Sequence, residues 1–325
     1  MSLDMARYQK SPNGNVFVLN PEAAATRLRA KLADQLKIEV KYIPRDSELA
    51  QLDAAIKAGL PVALAGPPGI GKTTLVQTHA KTKGLPLTTV MGDPRAKRYE
   101  LIGSVMDLQD GSMVFNDGPI SMAARAKAIS VLYVDEAFDL PNDVYVALTS
   151  MLDNRGKLFI RETDEELGTT QVQKILTFNP PTIDHMDKLP HERTLDRIVI
   201  IRFSEHTGEQ MVDMLKKKYG LIAPPPPSSA TAIQMDMKAA LNKYGSSFAK
   251  LVNDLNSNTA TAHGSVVVKK ATDRSVENAM RLICAGLPAR DAATIAIVNP
   301  MAPVSDELVT KFLTAAKQVV DSCIV

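Results

Sequence analysis

The eight residues GPPGIGKT, Gly66 to Thr73, have the composition and spacing of a loop that wraps a phosphate chain. The pattern G-x-x-x-x-G-K-[ST] turns backbone N–H groups inward toward one anion, and Gly66, Gly69 and Gly71 permit the dihedral angles this requires. Lys72 carries the positive charge for the β- and γ-phosphates of ATP, and the Thr73 hydroxyl is a ligand for Mg²⁺. A helix starting at Lys72 adds the positive end of its dipole. Pro67, Pro68 and Ile70, with Thr74 in the first helical turn, complete the candidate nucleotide-binding set.

Three further segments fit the same chemistry. In VLYVDEA an apolar strand ends in Asp135 and Glu136. Asp135 can anchor Mg²⁺ opposite Thr73, and Glu136 is placed to orient and polarise an attacking water. In ILTFNP a strand ends in Asn179, whose amide could hold that water or the γ-phosphate; an Asn before Pro is equally an ordinary turn residue. In ERTLDRIVIIRF, Arg193 and Arg197 precede or open a buried strand, and a guanidinium suits the charge that develops in phosphoryl transfer. Which of the two would reach a neighbouring subunit's nucleotide stays open, and Arg202 reads as a surface charge at the strand end.

The elements that must position these residues follow from hydrophobic pattern. Buried-type strands are expected at Val62–Ala65, Leu87–Val90, Val131–Val134, Ile175–Phe178 and Ile198–Ile201, with helices between them, notably Pro119–Ala128 and Pro141–Asn154. Apolar strands alternating with helices predict an α/β fold with a parallel sheet covered on both faces. Leu101–Asp117, with an Asp-Gly turn at Asp110–Gly111, predicts an inserted β-hairpin. Leu158–Thr170 predicts a second, its acidic cluster Asp164, Glu165 and Glu166 forming a solvated tip. Upstream, residues 1 to about 20 read as an extended arm. A helix from Pro21 to about Lys37 follows, with Leu28, Leu32 and Leu36 on one face. Another runs from Glu48 to Lys57, capped by Asp46 or Ser47 and closed by Gly59. The tetraproline Pro224–Pro227 marks a linker, and a mostly helical region follows it, with a short strand possible at Val266–Val268.

The 325 residues suggest one large domain and one smaller one: an arm and helix over 1–44, a nucleotide-binding domain over 45–204, and a helical domain over 205–325. Apolar residues at 45% and charged residues at 23% are ordinary for a soluble globular protein, and aromatics at 5% leave the core to Ala, Val, Ile, Leu and Met. With 38 basic against 36 acidic side chains there is no electrostatic footprint of a dedicated nucleic-acid binder. The basic run Lys216–Lys218 reads as a solvated helix end. Cys284 and Cys323 match no metal spacing and read as reduced thiols. No apolar h-region or membrane-length apolar run occurs, so a cytoplasmic location is expected.

With these elements in order, the chain resembles the AAA+ superfamily, with Walker A at Gly66–Thr73, Walker B at Val131–Glu136 and sensor 1 at Asn179. The segment YELIGSVMDLQDGSMVFNDGPISMAARAKAISVLYVDEA resembles the signature of the MoxR group, which includes CbbQ, NorQ and GvpN proteins. TDRSVENAMRLICAGLPARDAATIAIVNP is similar to that group's lid, where Arg274 falls at the sensor 2 position. The resemblance covers roughly Arg45–Phe203 and Asp273–Pro300. It implies an AAA+ core with a five-stranded sheet, hairpin insertions and a helical lid. It also implies a homo-oligomeric ring, a hexamer, with Arg197 as first choice of trans-acting finger and Arg193 as second. A ring of this kind acts on a protein client or with a separate von Willebrand factor A-type partner, remodelling or metallating a target. An AAA+ motor acting on DNA and a nucleotide-dependent structural switch are the other readings.

Overall fold

The computed structural model describes residues 4–38, 42–44, 47–153, 155–179, 194, 196–221, 236–258, 270–301 and 306–324. The chain forms two compact units: Met1–Pro67 with Gly71–Phe203, and Pro68–Ile70 with Ser204–Val325.

The first unit begins with strands β1 (Tyr8–Lys10) and β2 (Phe17–Leu19), then helices α1 (Pro21–Lys37) and α2 (Glu48–Lys57). Asn20 caps α1 by accepting a hydrogen bond from the Ala23 N–H at 2.8 Å, and Pro21 occupies the first turn, where no donor is needed. Strand β3 (Val62–Ala65) leads through the glycine loop into α3 (Lys72–Lys83), which stops at left-handed Gly84. Strand β4 (Leu87–Met91), helix α4 (Arg98–Leu101), strands β5 (Gly103–Asp107) and β6 (Met113–Asp117) and helix α5 (Pro119–Arg125) follow. The unit closes with β7 (Ser130–Asp135), α6 (Asn142–Leu152), β8 (Lys157–Ile160), β9 (Glu165–Gly168), β10 (Val172–Phe178) and β11 (Val199–Arg202).

Five strands form a parallel sheet in the order β11–β3–β10–β7–β4. Each parallel neighbour pair is separated by a crossover, so the apolar runs are covered on both faces. Register pairs Phe178 with Ala65 and Leu176 with Val134, which brings the carboxyl ends of β3, β7 and β10 level. One face packs Ala63, Ala65, Leu132, Val134, Leu176 and Phe178 against Ile120, Val144 and Leu148.

The hairpin expected in Leu101–Asp117 is β5–β6, turning at Asp110–Gly111, where Leu108 N–H donates to Ser112 O at 2.8 Å. The amino-terminal segment differs from an extended arm. β1 and β2 pair antiparallel, and Phe17 pairs in parallel with Val114, making a four-stranded sheet β1–β2–β6–β5. Its cause is the apolar run Val16–Leu19, whose Val16, Val18 and Leu19 are buried. Helix α1 also departs from its leucine spacing. Ala24, Ala25 and Leu28 pack on Met122 and Ala126, whereas Leu36 is exposed, because only the amino-terminal half of α1 lies on α5. Ser47 stands at the head of α2 without a side-chain cap, and Asp46 lies outside the described residues.

In the second hairpin, β8–β9, Asp164 and Glu166 of the acidic cluster are exposed as expected, but Glu165 is no part of a solvated tip. Glu165 is buried and accepts from both terminal nitrogens of Arg125, at 2.6 and 2.8 Å, and from the Thr163 hydroxyl at 2.8 Å. Arg125 Nε donates to both oxygens of Asp117, at 3.0 and 2.9 Å. Burial opposes the Arg125 charge, but the hydrogen bonds of Glu165 and the pull of Asp117 outweigh it and raise its pKa. One guanidinium thus ties α5 to the ends of both inserted hairpins.

The second unit is helical: α7 (Gly208–Leu221), α8 (Met237–Asn258), α9 (Asp273–Cys284), α10 (Ala289–Ala293), a π-helical turn (Thr294–Val298), α11 (Asn299–Met301) and α12 (Asp306–Cys323). Its core includes Leu215, Phe248, Leu251, Val276, Met280 and Ile297. Lys218 is no free helix-end charge. It donates to Glu277 at 2.8 and 2.9 Å, joining α7 to α9, and Arg281 meets the same carboxylate at 2.7 Å. Cys284 and Cys323 are free thiols. The tetraproline and Val266–Val268 lie outside the described residues, among which no helix is long and apolar enough to cross a membrane.

Two stability predictions follow from buried charge. Arg125→Met leaves two buried carboxylates without their cation and should cost about 3–5 kcal/mol in chemical denaturation. Lys174, 8% exposed in β10, has its pKa pulled by burial from 10.5 down to about 8. The unfolded chain holds that proton more tightly, so the penalty is full below pH 8 and fades toward pH 10.5. Lys174→Met should therefore raise the Tm at pH 7, with a gain that shrinks across that window.

Candidate nucleotide site

The glycine loop starts where β3 ends. Gly66 N–H donates to Phe178 O at 3.3 Å, which ties the loop entrance to the end of β10. Gly71, at φ +94°, makes the turn into α3 in a conformation that side chains rarely adopt, and its carbonyl accepts the Leu75 N–H at 2.9 Å.

Lys72 is buried and reaches back across the loop. Its Nζ donates to Gly66 O at 2.5 Å, Pro67 O at 2.9 Å and the Asn179 Oδ1 at 2.9 Å. Asn179 in turn donates through Nδ2 to Glu136 Oε1 at 3.4 Å. Three residues far apart in sequence, Lys72 at the start of α3 and Asn179 and Glu136 just beyond the carboxyl ends of β10 and β7, therefore form one polar line: ammonium, amide, carboxylate. Glu136 and Asn179 are exposed at its open end.

A second line lies beneath the first. The Thr73 hydroxyl is 3.0 Å from the Tyr133 hydroxyl, and that hydroxyl is 3.4 Å from Thr177 Oγ1. Thr177 donates to Asp135 Oδ1 and accepts the Glu136 N–H at 3.2 Å. Burial holds the Tyr133 phenol well above its ordinary pKa, so it is a neutral hydroxyl at physiological pH. Thr73 and Asp135 present oxygen only, a donor chemistry that suits a hard cation such as Mg²⁺. Among the described residues there is no cluster of three or more His, Cys, Asp or Glu side chains suited to another metal.

Glu136 adopts a left-handed backbone, φ 50° and ψ 47°, uncommon for a residue with a side chain. It is held there from two sides, by Thr177 on its N–H and by β4 through Gly92, whose N–H donates to Asp135 O at 2.7 Å. A Cβ at Gly92 would fall 1.9 Å from Glu136 O. Sequence reading missed Gly92, Tyr133 and Thr177. Only the Tyr within an otherwise aliphatic VLYV strand was a visible signal.

The arginines are placed differently. Arg197 sits in the turn before β11, its N–H donating to the carbonyl of buried Thr194 at 3.0 Å, and Thr194 accepts from Tyr145 of α6 at 2.8 Å. The Arg197 side chain is half-buried and makes no hydrogen bond or ion pair among the described residues. Arg193 lies outside those residues. Arg274 belongs to the second unit, at the head of α9, where a Cβ on Gly69 would lie 3.3 Å from the Arg274 Cβ. Thr272 caps α9 reciprocally with Ser275, and His206 Nδ1 lies 2.9 Å from Asp273. Pro68 is exposed and Ile70 buried in the same unit; Thr74 is half-buried in α3.

A profile of the AAA domain, dynein-related subfamily, matches residues 61–197. The chain is 33% identical over 180 residues to the protein NorQ of Paracoccus denitrificans, covering 55% of this chain and 66% of NorQ. It is 30% identical over 179 residues to the denitrification regulatory protein NirQ of Pseudomonas aeruginosa, covering 55% and 68%. Similarity to the protein CbbQ of Hydrogenophilus thermoluteolus is 29% over 146 residues, 45% and 54% of the two chains. The matched segment thus spans about two thirds of the first two relatives and about half of the third. The chain belongs to the MoxR-type AAA+ ATPases.

Gly92→Ala should displace the Glu136 backbone while leaving the glycine loop intact. A shift of about 1 Å at a reacting group lowers rate by about 100-fold, so ATP turnover should fall by that order with equilibrium ATP binding unchanged.

Proposed function

We propose that the chain binds ATP with Mg²⁺ and hydrolyses it at the subunit interfaces of a hexameric ring, using the energy to remodel or activate a partner protein. One observation carries this reading: the line Lys72–Asn179–Glu136 at the carboxyl edge of the sheet. Lys72 donates to loop carbonyls that a phosphate oxygen can replace. Asn179 holds the Glu136 carboxylate in register with Lys72, so that Glu136 can accept a proton from water on the open side of the γ-phosphate. Thr73 and Asp135 would hold Mg²⁺, which neutralises charge on the β- and γ-phosphates.

The trans role falls to Arg197, with Arg193 as second choice. A half-buried guanidinium without a hydrogen-bond or ion-pair partner among the described residues fits a side chain meant for a neighbour. Arg274, at the capped head of α9, is the sensor 2 candidate. A near-even balance of basic and acidic residues supports a protein client over DNA. The regulatory name of the NirQ relative points the same way. A separate von Willebrand factor A-type protein, and metal insertion into a target enzyme, are the finer partner assignments that the family resemblance suggests. A cytoplasmic setting agrees with the absence of a membrane-length helix among the described residues.

The test is ATP hydrolysis against protein concentration for wild type, Glu136→Gln, Arg197→Ala and mixtures of the two variants. Specific activity should rise with concentration, vanish in Glu136→Gln, fall by about 10³-fold or more in Arg197→Ala, and partly return on mixing. Concentration-independent turnover that survives Arg197→Ala would remove the ring-interface reading.

A further inference from the structure

The hydroxyl line under the loop has only one consistent direction. Thr177 has a single proton, and it is given to the Asp135 carboxylate, which can only accept. Thr177 Oγ1 is therefore an acceptor toward its other neighbours. One of these is the Glu136 N–H at 3.2 Å. The other is Tyr133, whose hydroxyl must then donate across 3.4 Å. With its proton so committed, Tyr133 can only accept from Thr73, at 3.0 Å. Every proton points the same way: Thr73 to Tyr133 to Thr177 to Asp135.

We propose that Tyr133 and Thr177 are positioning residues that orient the Thr73 hydroxyl for metal binding, linking it through two hydroxyls to the Asp135 carboxylate. A hydroxyl that ligates a cation must offer a lone pair, so its proton has to be accepted elsewhere. Tyr133, fully buried and fixed in β7, provides that acceptor. The negative charge of Asp135 polarises the chain from its far end, which strengthens each bond in it. Thr177 has a second duty, since the oxygen that receives Tyr133 also holds the left-handed backbone of Glu136. Cation affinity and the placement of Glu136 thus share one atom.

The inference rests on the reading of this site as one for ATP and Mg²⁺, and the experiment separates the two. A fluorescent ATP analogue is titrated onto the full chain in EDTA and across a MgCl₂ series, for wild type, Tyr133→Phe, Thr177→Val and Thr177→Ser. The two hydroxyl deletions are near-isosteric; thermal melts confirm that each variant is folded, and Thr177→Ser restores the bond donor if Thr177→Val does not fold. Loss of a partner that orients a metal ligand costs about 10-fold in metal affinity. The Mg²⁺ midpoint should therefore rise about 10-fold in Tyr133→Phe and Thr177→Val, stay near wild type in Thr177→Ser, and leave binding in EDTA unchanged. Only Thr177→Val should also lower kcat at saturating Mg²⁺. A midpoint within twofold of wild type in the deletion variants, or equal losses with and without Mg²⁺, overturns the positioning role while leaving the site assignment standing. Wild-type binding that is absent or indifferent to Mg²⁺ overturns both.

Discussion

Three strands of one parallel sheet, β3, β7 and β10, end level with one another, and the candidate phosphate, metal and water-activating groups of the first unit hang from those ends or from the turn and helix start beyond them. Parallel pairing makes this possible, because it aligns like ends where antiparallel pairing would alternate them. Phe178 opposite Ala65 and Leu176 opposite Val134 place the loop entrance, Asn179 and the Asp135–Glu136 pair along one edge. A slip of one residue in β10 would turn Thr177 to the other face and break both polar lines at once. The uninterrupted apolar content of these strands is therefore the source of the site's precision as well as its support.

The second organising interaction is the Arg125 guanidinium. Its three nitrogens meet two carboxylates, Nε shared by both oxygens of Asp117 and the terminal pair bidentate to Glu165, an arrangement that offsets the cost of removing charge from water. Asp117 ends β6 and Glu165 opens β9, so the insertions are anchored through one helix instead of through their own weak cores. The amino-terminal strands extend this arrangement by completing a sheet that the β5–β6 hairpin alone could not stabilise.

Much of this was legible in the residues, for reasons that differ by element. The five core strands and the helices after them carry patterns longer than any local ambiguity. The Asp110–Gly111 turn declares itself because few residue pairs adopt its dihedral angles. What stayed hidden depends on contacts across long separations. Nothing near Glu165 in sequence announces Arg125, so three consecutive acidic residues looked like surface. The pairing of β2 with β6 joins segments almost a hundred residues apart in the chain. Glycine at position 92 reads as a turn until the Glu136 carbonyl is seen against it. The hydroxyls of Tyr133 and Thr177 look like ordinary strand residues until the register sets them between Thr73 and Asp135.

The shared anchor at Arg125 has a bearing on how such chains diversify. Two hairpins that grip the same guanidinium are not separate modules. Exchanging one for a homologous hairpin of another length or charge would leave part of the buried Arg125 guanidinium without its acceptor, unless the donor hairpin kept an acid at the matching end. The Asp110–Gly111 tip of the first hairpin is free to drift, whereas the turn of the second carries buried Thr163, which donates to Glu165 and is held to the anchor. The first tip can thus change by ordinary substitution, whereas wholesale recombination has to move β6, α5 and β9 together as one inherited block.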